Sequence, residues 1–159
     1  MLNEKIYVFD DIIDLSHQNY IRDLLIRDYE LDGKYPFPWY YLDDITLHES
    51  NPNNQGRPGF THEYVIYGGK EKLTGIQVSQ FHDIFVSLLQ DACKKVGITN
   101  VNILQGRSFL QVPLNLKDRS VDTPHIDIND RDDFFVVLYY VCDSDGDTII
   151  YNETKESDQ

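Results

Sequence analysis

The chain has 159 residues, enough for one domain with a hydrophobic core of its own. Hydrophobic residues make up 41% and aromatic residues 13% of the sequence, which excludes a disordered composition. The formal net charge is -13, so neither a nucleic acid nor an anionic membrane is expected as a partner. No apolar run is long enough to span a bilayer and no secretion signal is visible. Because the chain has only two isolated cysteines, Cys93 and Cys142, we expect it in the reducing cytoplasm.

The first part of the chain predicts a strand, a helix, an aromatic strap and a second strand. The first strand is expected over 5–9. Asp14 or Ser16 can cap the helix that follows, since both offer a side-chain oxygen to free backbone donors. The aromatic segment 35–41 (YPFPWYY) is interpreted as a strap packed onto the core, with a binding surface as the alternative. Alternating residues over 60–67 predict the second strand.

The second part predicts one long helix followed by strands. Apolar residues recur at three and four positions over 76–96, which is typical of a helix. Gly97 suits the position just after that helix. A long extended stretch is predicted over 100–113, an apolar strand over 133–142 and a final strand over 148–152.

This order of elements predicts a single α+β domain over 1–159, with N-terminal helices packed on an antiparallel sheet. We divide it into a helical support region, 1–98, and barrel strands, 99–152. Short strands with turns between them favour a sandwich or jelly roll. Cys93 and Cys142 are interpreted as isolated buried thiols rather than a disulfide framework.

The segment with the most chemical content is His125-Ile-Asp127. Residues i and i+2 of an extended chain point to the same face, so the imidazole and the carboxylate project together. Two histidines and one carboxylate can form a facial metal site, and this pair would supply two of the three ligands. No histidine follows His125. The sequence gives no reason to choose a third ligand among the remaining histidines, which are His17, His48, His62 and His82.

In its context this pair resembles the iron(II)/2-oxoglutarate-dependent dioxygenases, and most of all the prolyl-hydroxylase-like branch common in marine phage and bacteria. The resemblance rests on 124–127 (PHID), 137–141 (VLYYV), 143–148 (DSDGDT) and 37–41 (FPWYY). It covers most of this chain but only the first part of the family's double-stranded β-helix. The resemblance therefore implies an incomplete jelly roll.

The resemblance implies His125 and Asp127 as iron ligands and Tyr140 as the tyrosine that hydrogen-bonds the far carboxylate of 2-oxoglutarate. It matches 107–112 to the family's first barrel strand. Tyr139 is one residue out of phase with Tyr140 and should face the opposite side of its strand. The alternative for Tyr140 is a core tyrosine with a satisfied hydroxyl. The implied cofactors are Fe(II) and 2-oxoglutarate, and the implied reaction hydroxylates a C–H bond of a peptide, such as a peptidyl proline, or of a small molecule.

The chain departs from the family's pattern after Asp127. The family's distal histidine and nearby arginine have no counterpart, since the only later basic residues are Arg131 and Lys155. We therefore expect the C-terminally truncated, N-terminal part of a longer oxygenase, catalytically inactive by itself. The alternative is a non-enzymatic module with a vestigial metal site, which forms a homodimer through open strand edges or binds another protein.

Overall fold

Two helices and a small antiparallel sheet of four strands make up the regular structure of the described residues. The computed structural model describes residues 6–26, 37–45, 58–112, 126–128, 130–144 and 146–151. The elements in chain order are α1 (Leu15–Ile26), β1 (Tyr40–Leu42), β2 (Gly59–Ile66), β3 (Ile76–Gln77), α2 (His82–Lys95) and β4 (Gly106–Gln111). The predicted α+β class is confirmed.

Helix α1 begins with a side-chain cap, as predicted. The Asp14 carboxylate accepts the backbone N–H of His17 at 2.9 Å, and the Asp14 carbonyl accepts that of Gln18 at 3.0 Å. Asp14 is therefore the N-cap, while the Ser16 hydroxyl donates to the same carboxylate. The bonds from Ser16 and His17 lower the pKa of Asp14, because both favour the ionised carboxylate.

Helix α2 starts later than its periodicity predicts, since β3 occupies the beginning of the predicted range. Its end is as predicted. Gly97 has a φ of +74°, which a residue without Cβ adopts at low cost. The Gly97 N–H bonds to the Lys94 carbonyl at 3.1 Å and the Ile98 N–H to the Cys93 carbonyl at 2.9 Å. This pair of bonds is a Schellman motif, which satisfies the last carbonyls of the helix.

Strand β2 is the centre of the sheet, because each of the other three strands pairs with it antiparallel. β4 runs along one edge of β2, with Glu63 opposite Arg107, while β1 and β3 share the other edge. The register shifts between Glu63 and Val65. Such a bulge breaks the strict alternation of side chains, so that Tyr64 and Val65 both reach the core.

The core joins both helices, the aromatic strap and β2. Its buried members are Ile13, Ile21, Leu25, Phe37, Tyr64, Val65 and Leu88. Trp39 packs against this cluster, and its indole N–H donates to the Leu25 carbonyl at 3.0 Å. The predicted strap is thus confirmed over 37–39, whereas Tyr40 and Tyr41 in β1 are exposed. The first residues of the predicted strap lie outside the described part.

Several predicted strands are wrong where the structure describes them. Residues 6–9, 133–142 and 148–151 form no strand, and the predicted stretch 100–113 contains a strand only at 106–111. Apolar, β-branched sequence fits a pleated surface, but a strand also needs a neighbour to pair with its backbone. The end residues 5, 113 and 152 of these predicted segments lie outside the described residues.

The two cysteines differ in environment, and both are free thiols. Cys93 is buried, and burial raises the pKa of its thiol. Cys142 is exposed, so the prediction of a buried thiol is confirmed for Cys93 and wrong for Cys142.

Within the described ranges, neither helix has the length and apolar character needed to cross a membrane.

Candidate functional site

The structure places Asp127 of the predicted metal pair, while His125 lies outside the described residues. Asp127 is exposed. It lies near enough to Arg107 of β4 to act on its charge. Burial lowers the pKa of the Arg107 guanidinium, and the negative charges of Asp127 and Glu63 raise it. Glu63 stands directly opposite Arg107 in the sheet. We call these three residues the Arg107 cluster, one cation and the two carboxylates that act on its charge.

Arg107 and the residue paired with it, Glu63, lie on the sheet face opposite Tyr64 of the core. The neighbouring residue in β4, Ser108, hydrogen-bonds with the hydroxyl of the core residue Tyr64. Alternate residues of a strand point to opposite faces, so Arg107 and Phe109 point away from Tyr64. The Arg107 guanidinium lies 4.2 Å from the centroid of the Phe109 ring, within the range of a cation–π contact. Phe109 therefore holds the guanidinium along β4.

The cluster contains one carboxylate of the predicted metal pair, Asp127, beside a cation of the sheet. An exposed carboxylate such as Asp127 is a suitable oxygen donor for iron. A guanidinium beside it suits an anionic co-ligand, since arginine binds carboxylates through a planar pair of donors. Among the residues that the structure describes, no three His, Cys, Asp or Glu side chains come together in a way that could hold a metal ion.

Tyr140, the predicted 2-oxoglutarate contact, is 58% exposed. Its hydroxyl hydrogen-bonds with that of Thr148. The preceding residue, Tyr139, packs against the core, and burial raises the pKa of its phenol. The two tyrosines therefore lie on opposite sides of the chain, as the alternation predicts. The alternative of a core tyrosine is wrong for Tyr140 and describes Tyr139 instead.

The acidic loop that follows the predicted ligand pair is tied to the loop between β2 and β3. The Tyr67 hydroxyl donates to Asp130 at 2.8 Å. Arg131 donates through Nη1 to the Lys72 carbonyl at 2.9 Å and through Nε and Nη2 to Asp133 at 2.7 and 2.6 Å. Such a two-pronged pair has a defined geometry. These contacts hold the loop close to the sheet, and the sequence carried no signal for them.

The most constrained histidine is His62, which is 5% exposed. Its Nδ1 lies 2.7 Å from the Pro38 carbonyl and its Nε2 lies 2.7 Å from the Ser79 hydroxyl oxygen. A carbonyl can only accept, so Nδ1 carries the hydrogen and Nε2 accepts from Ser79. The Ser79 oxygen in turn accepts the Phe81 N–H at 3.1 Å. The network therefore joins the strap, β2 and the start of α2.

A serine hydroxyl that donates to an imidazole, whose other nitrogen donates to an acceptor, can become an activated nucleophile. Here the row is enclosed: Ser79 is 9% exposed, and aromatic rings surround His62. A substrate has no access to a hydroxyl in that position, so the network is structural. The sequence offers no reason to choose His62 over the other histidines as a ligand, and the structure places it among the aromatic residues of the core.

A separate surface cleft of about 270 Å³ lies between β3 and the segment before β4. Its polar lining residues are Thr74, Gln77, His82 and Asn102. His82 Nδ1 lies 2.8 Å from the Asp83 carboxylate at the start of α2. None of the Arg107 cluster lines this cleft, so the two are distinct features of the surface.

Comparison of the chain with protein-family models, with curated proteins and with solved structures found no match in any of the three. Any functional assignment therefore depends on the residues and their geometry.

Proposed function

We propose that the chain supplies part of the iron site of an iron(II)- and 2-oxoglutarate-dependent dioxygenase, with His125 and Asp127 as ligands. The observation that supports this is Asp127, an exposed carboxylate near enough to Arg107 of β4 to act on the charge of its guanidinium. When bound, iron with 2-oxoglutarate and oxygen supplies the oxidising power to hydroxylate a C–H bond. The proposed substrate is a peptide, such as a peptidyl proline, or a small molecule.

The chain's own residues would bind and orient the anionic cosubstrate. Arg107 keeps its charge at all physiological pH values and can bind a carboxylate of the dicarboxylate near Asp127. The Tyr140 hydroxyl can donate to a carboxylate while it accepts a hydrogen bond from the Thr148 hydroxyl. The Tyr67 and Arg131 contacts keep the loop in place.

Anaerobic calorimetric titration with Fe(II) tests the proposal. Asp127→Ala should weaken binding at least about tenfold, the loss seen even for groups that only support a metal ligand. His125→Ala should have the same effect. Asp132→Ala is the matched control, since it removes another exposed carboxylate of the same loop. A wild-type chain that does not bind Fe(II), or a control as damaging as Asp127→Ala, would refute the proposal.

A second function, that of a protein-binding module, is favoured by a different observation. The described residues after 134 expose many large apolar side chains, as surfaces that bind other proteins do. They are Phe135, Val136, Val137, Leu138, Tyr140, Ile149, Ile150 and Tyr151. Leu138→Asp separates the two functions: it should abolish protein binding and leave Fe(II) binding intact, whereas Asp127→Ala should do the reverse.

A further inference from the structure

Two hydrogen bonds fasten the chain just after Asp127 to the loop between β2 and β3. The Tyr67 hydroxyl donates to the Asp130 carboxylate at 2.8 Å, and Arg131 Nη1 donates to the Lys72 carbonyl at 2.9 Å. Tyr67 and Lys72 belong to the same loop, and Asp130 and Arg131 are consecutive. The two bonds therefore hold one short stretch of chain at two points, and we call this pair of bonds the loop clamp.

Arg131 is the central residue of the loop clamp. Its side chain is only 13% exposed, although that of its partner Asp133 is 64% exposed. Nε and Nη2 donate to the two Asp133 oxygens at 2.7 and 2.6 Å, which leaves Nη1 for the Lys72 carbonyl. A two-pronged pair fixes the plane of the guanidinium and with it the direction of the third bond. The ammonium of a lysine is a point charge and has no such plane.

Arg131 also balances the negative charge of this stretch. Four of the seven residues from 127 to 133 are aspartates, and Arg131 is the only basic residue among them. The hydrogen bonds between Arg131 and Asp133 raise the pKa of the guanidinium and lower that of the carboxyl, so both groups are charged at neutral pH. Without this cation the neighbouring carboxylates would repel one another and loosen the stretch.

The loop clamp limits where Asp127 can lie. Consecutive Cα atoms are about 3.8 Å apart, so the Cα of Asp127 stays within about 11 Å of that of the clamped Asp130. Ile128, next to Asp127, is 6% exposed and anchors the chain on that side. Asp127 lies near enough to Arg107 to act on its charge. The clamp and the Ile128 anchor together therefore keep the Asp127 carboxylate within reach of Arg107.

We infer that Arg131 is a positioning residue for the proposed metal site, because the loop clamp keeps Asp127 in the place from which it binds Fe(II). A ligand that is held in place before the metal arrives loses less conformational freedom on binding, so its affinity is higher. Arg131 acts through the backbone rather than by contact with the metal. This inference rests on the proposed function as part of an iron site, and it gives a role to a residue that the family resemblance leaves without one.

Hydrogen exchange of the metal-free chain tests the clamp itself. Arg131→Gln removes the charge and the two-pronged pair, so it should speed amide exchange in the peptide 126–133 about tenfold. Tyr67→Phe removes one hydrogen bond and keeps the ring, so a smaller increase of about threefold is expected. Arg22→Gln is the matched control, since Arg22 also pairs with an aspartate, Asp23, but on α1. It should leave exchange in this peptide unchanged.

Anaerobic calorimetric titration with Fe(II) tests the consequence for the site. Arg131→Gln should weaken binding about tenfold, as the loss of groups that support a metal ligand does. Arg131→Lys keeps the charge and can still donate to the Lys72 carbonyl, so it should recover part of this loss. Arg22→Gln should bind as the wild type does. Urea unfolding followed by Trp39 fluorescence should give similar midpoints for all these variants, because Arg131 lies outside the core cluster.

The outcomes separate this inference from the function on which it rests. Wild-type affinity for Fe(II) in Arg131→Gln would overturn the inference and keep the metal site. Unchanged amide exchange in Arg131→Gln, or a loss of affinity that only follows a fall in global stability, would also overturn it. A wild-type chain that does not bind Fe(II) would overturn the proposed function and the inference with it. Faster exchange and weaker binding in the order Arg131→Gln, Arg131→Lys, wild type would support the inference.

Discussion

His62 joins three parts of the fold, and replacing it with phenylalanine tests whether its hydrogen bonds stabilise the protein. His62→Phe keeps an aromatic ring beside Phe37 and Tyr64, whose centroids lie 4.5 and 5.1 Å from that of the imidazole. The change removes both ring nitrogens. The Pro38 carbonyl and the Ser79 hydroxyl each lose a partner at 2.7 Å.

The expected loss follows from these two groups. Leaving a buried polar group unpaired costs about 1–3 kcal/mol, so two such groups give about 2–6 kcal/mol. The Ser79 oxygen still accepts a hydrogen bond from the Phe81 N–H, and the phenyl ring has no polar atoms to desolvate. Both effects offset part of the loss. We expect a net decrease of about 2–4 kcal/mol in the free energy of unfolding. At about 2–4 °C per kcal/mol for a domain of this size, the Tm falls by about 4–16 °C.

Trp39 makes the measurement direct. It is the only tryptophan of the chain, and its ring centroid lies 5.0 Å from that of Phe37, which also contacts His62. Urea unfolding followed by tryptophan fluorescence therefore reports on this region. Ser79→Ala and the double variant complete a cycle with an expected coupling of about 1 kcal/mol. Wild-type stability of His62→Phe, or strict additivity of the two changes, would refute the reasoning.

Three further changes test the backbone and the helix cap. Gly75→Ala places a Cβ 2.2 Å from the Leu104 carbonyl oxygen and 2.8 Å from that of Ile66, so urea unfolding should show a loss of about 1–3 kcal/mol or more. In Gly97→Ala the added Cβ meets no atom within 4 Å, so the free energy of unfolding should fall by only about 1 kcal/mol, because alanine is strained at a φ of +74°. A larger loss than that of Gly75→Ala would contradict this comparison. Asp14→Asn keeps the cap but not the charge. The pKa of Asp14 lies below its ordinary 3.8, so its ionised form stabilises the fold above that pH, and this contribution is lost as the pH falls through the folded value. Thermal unfolding between about pH 2 and pH 7 should show the difference between wild type and Asp14→Asn narrowing towards low pH, and a constant difference would rule out the charge effect.

The features that could be predicted from the sequence depend on residues close together in the chain. Asp14 caps α1 through residues three and four positions later. At the end of α2, Gly97 bonds to the carbonyl three positions before it, and its neighbour Ile98 bonds to the carbonyl five positions before it. The strand around His62 follows from alternation within the strand itself. Each of these signals is complete within a short window, so tertiary contacts did not need to be known.

The features that could not be predicted depend on distant partners. The segment 133–142 has the composition of a strand, but no described strand lies beside it. Arg107 was not singled out, because its importance appears only once β4 pairs with β2 and the loop with Asp127 lies near them. The Ser79 contact of His62 is equally invisible in the sequence, since neither residue is part of a motif.

The central position of β2 governs the order in which the sheet can assemble. The Thr61 hydroxyl of β2 donates to the Ser108 carbonyl of β4, 47 positions further along the chain. Closing a loop of that length costs entropy before any ladder bond forms, and contacts of high sequence separation slow folding. A chain emerging from the ribosome therefore contains all of helix α2 before the longest strand pair of the described residues can form, and we expect the docking of β4 onto β2 to be slower than the formation of the local elements.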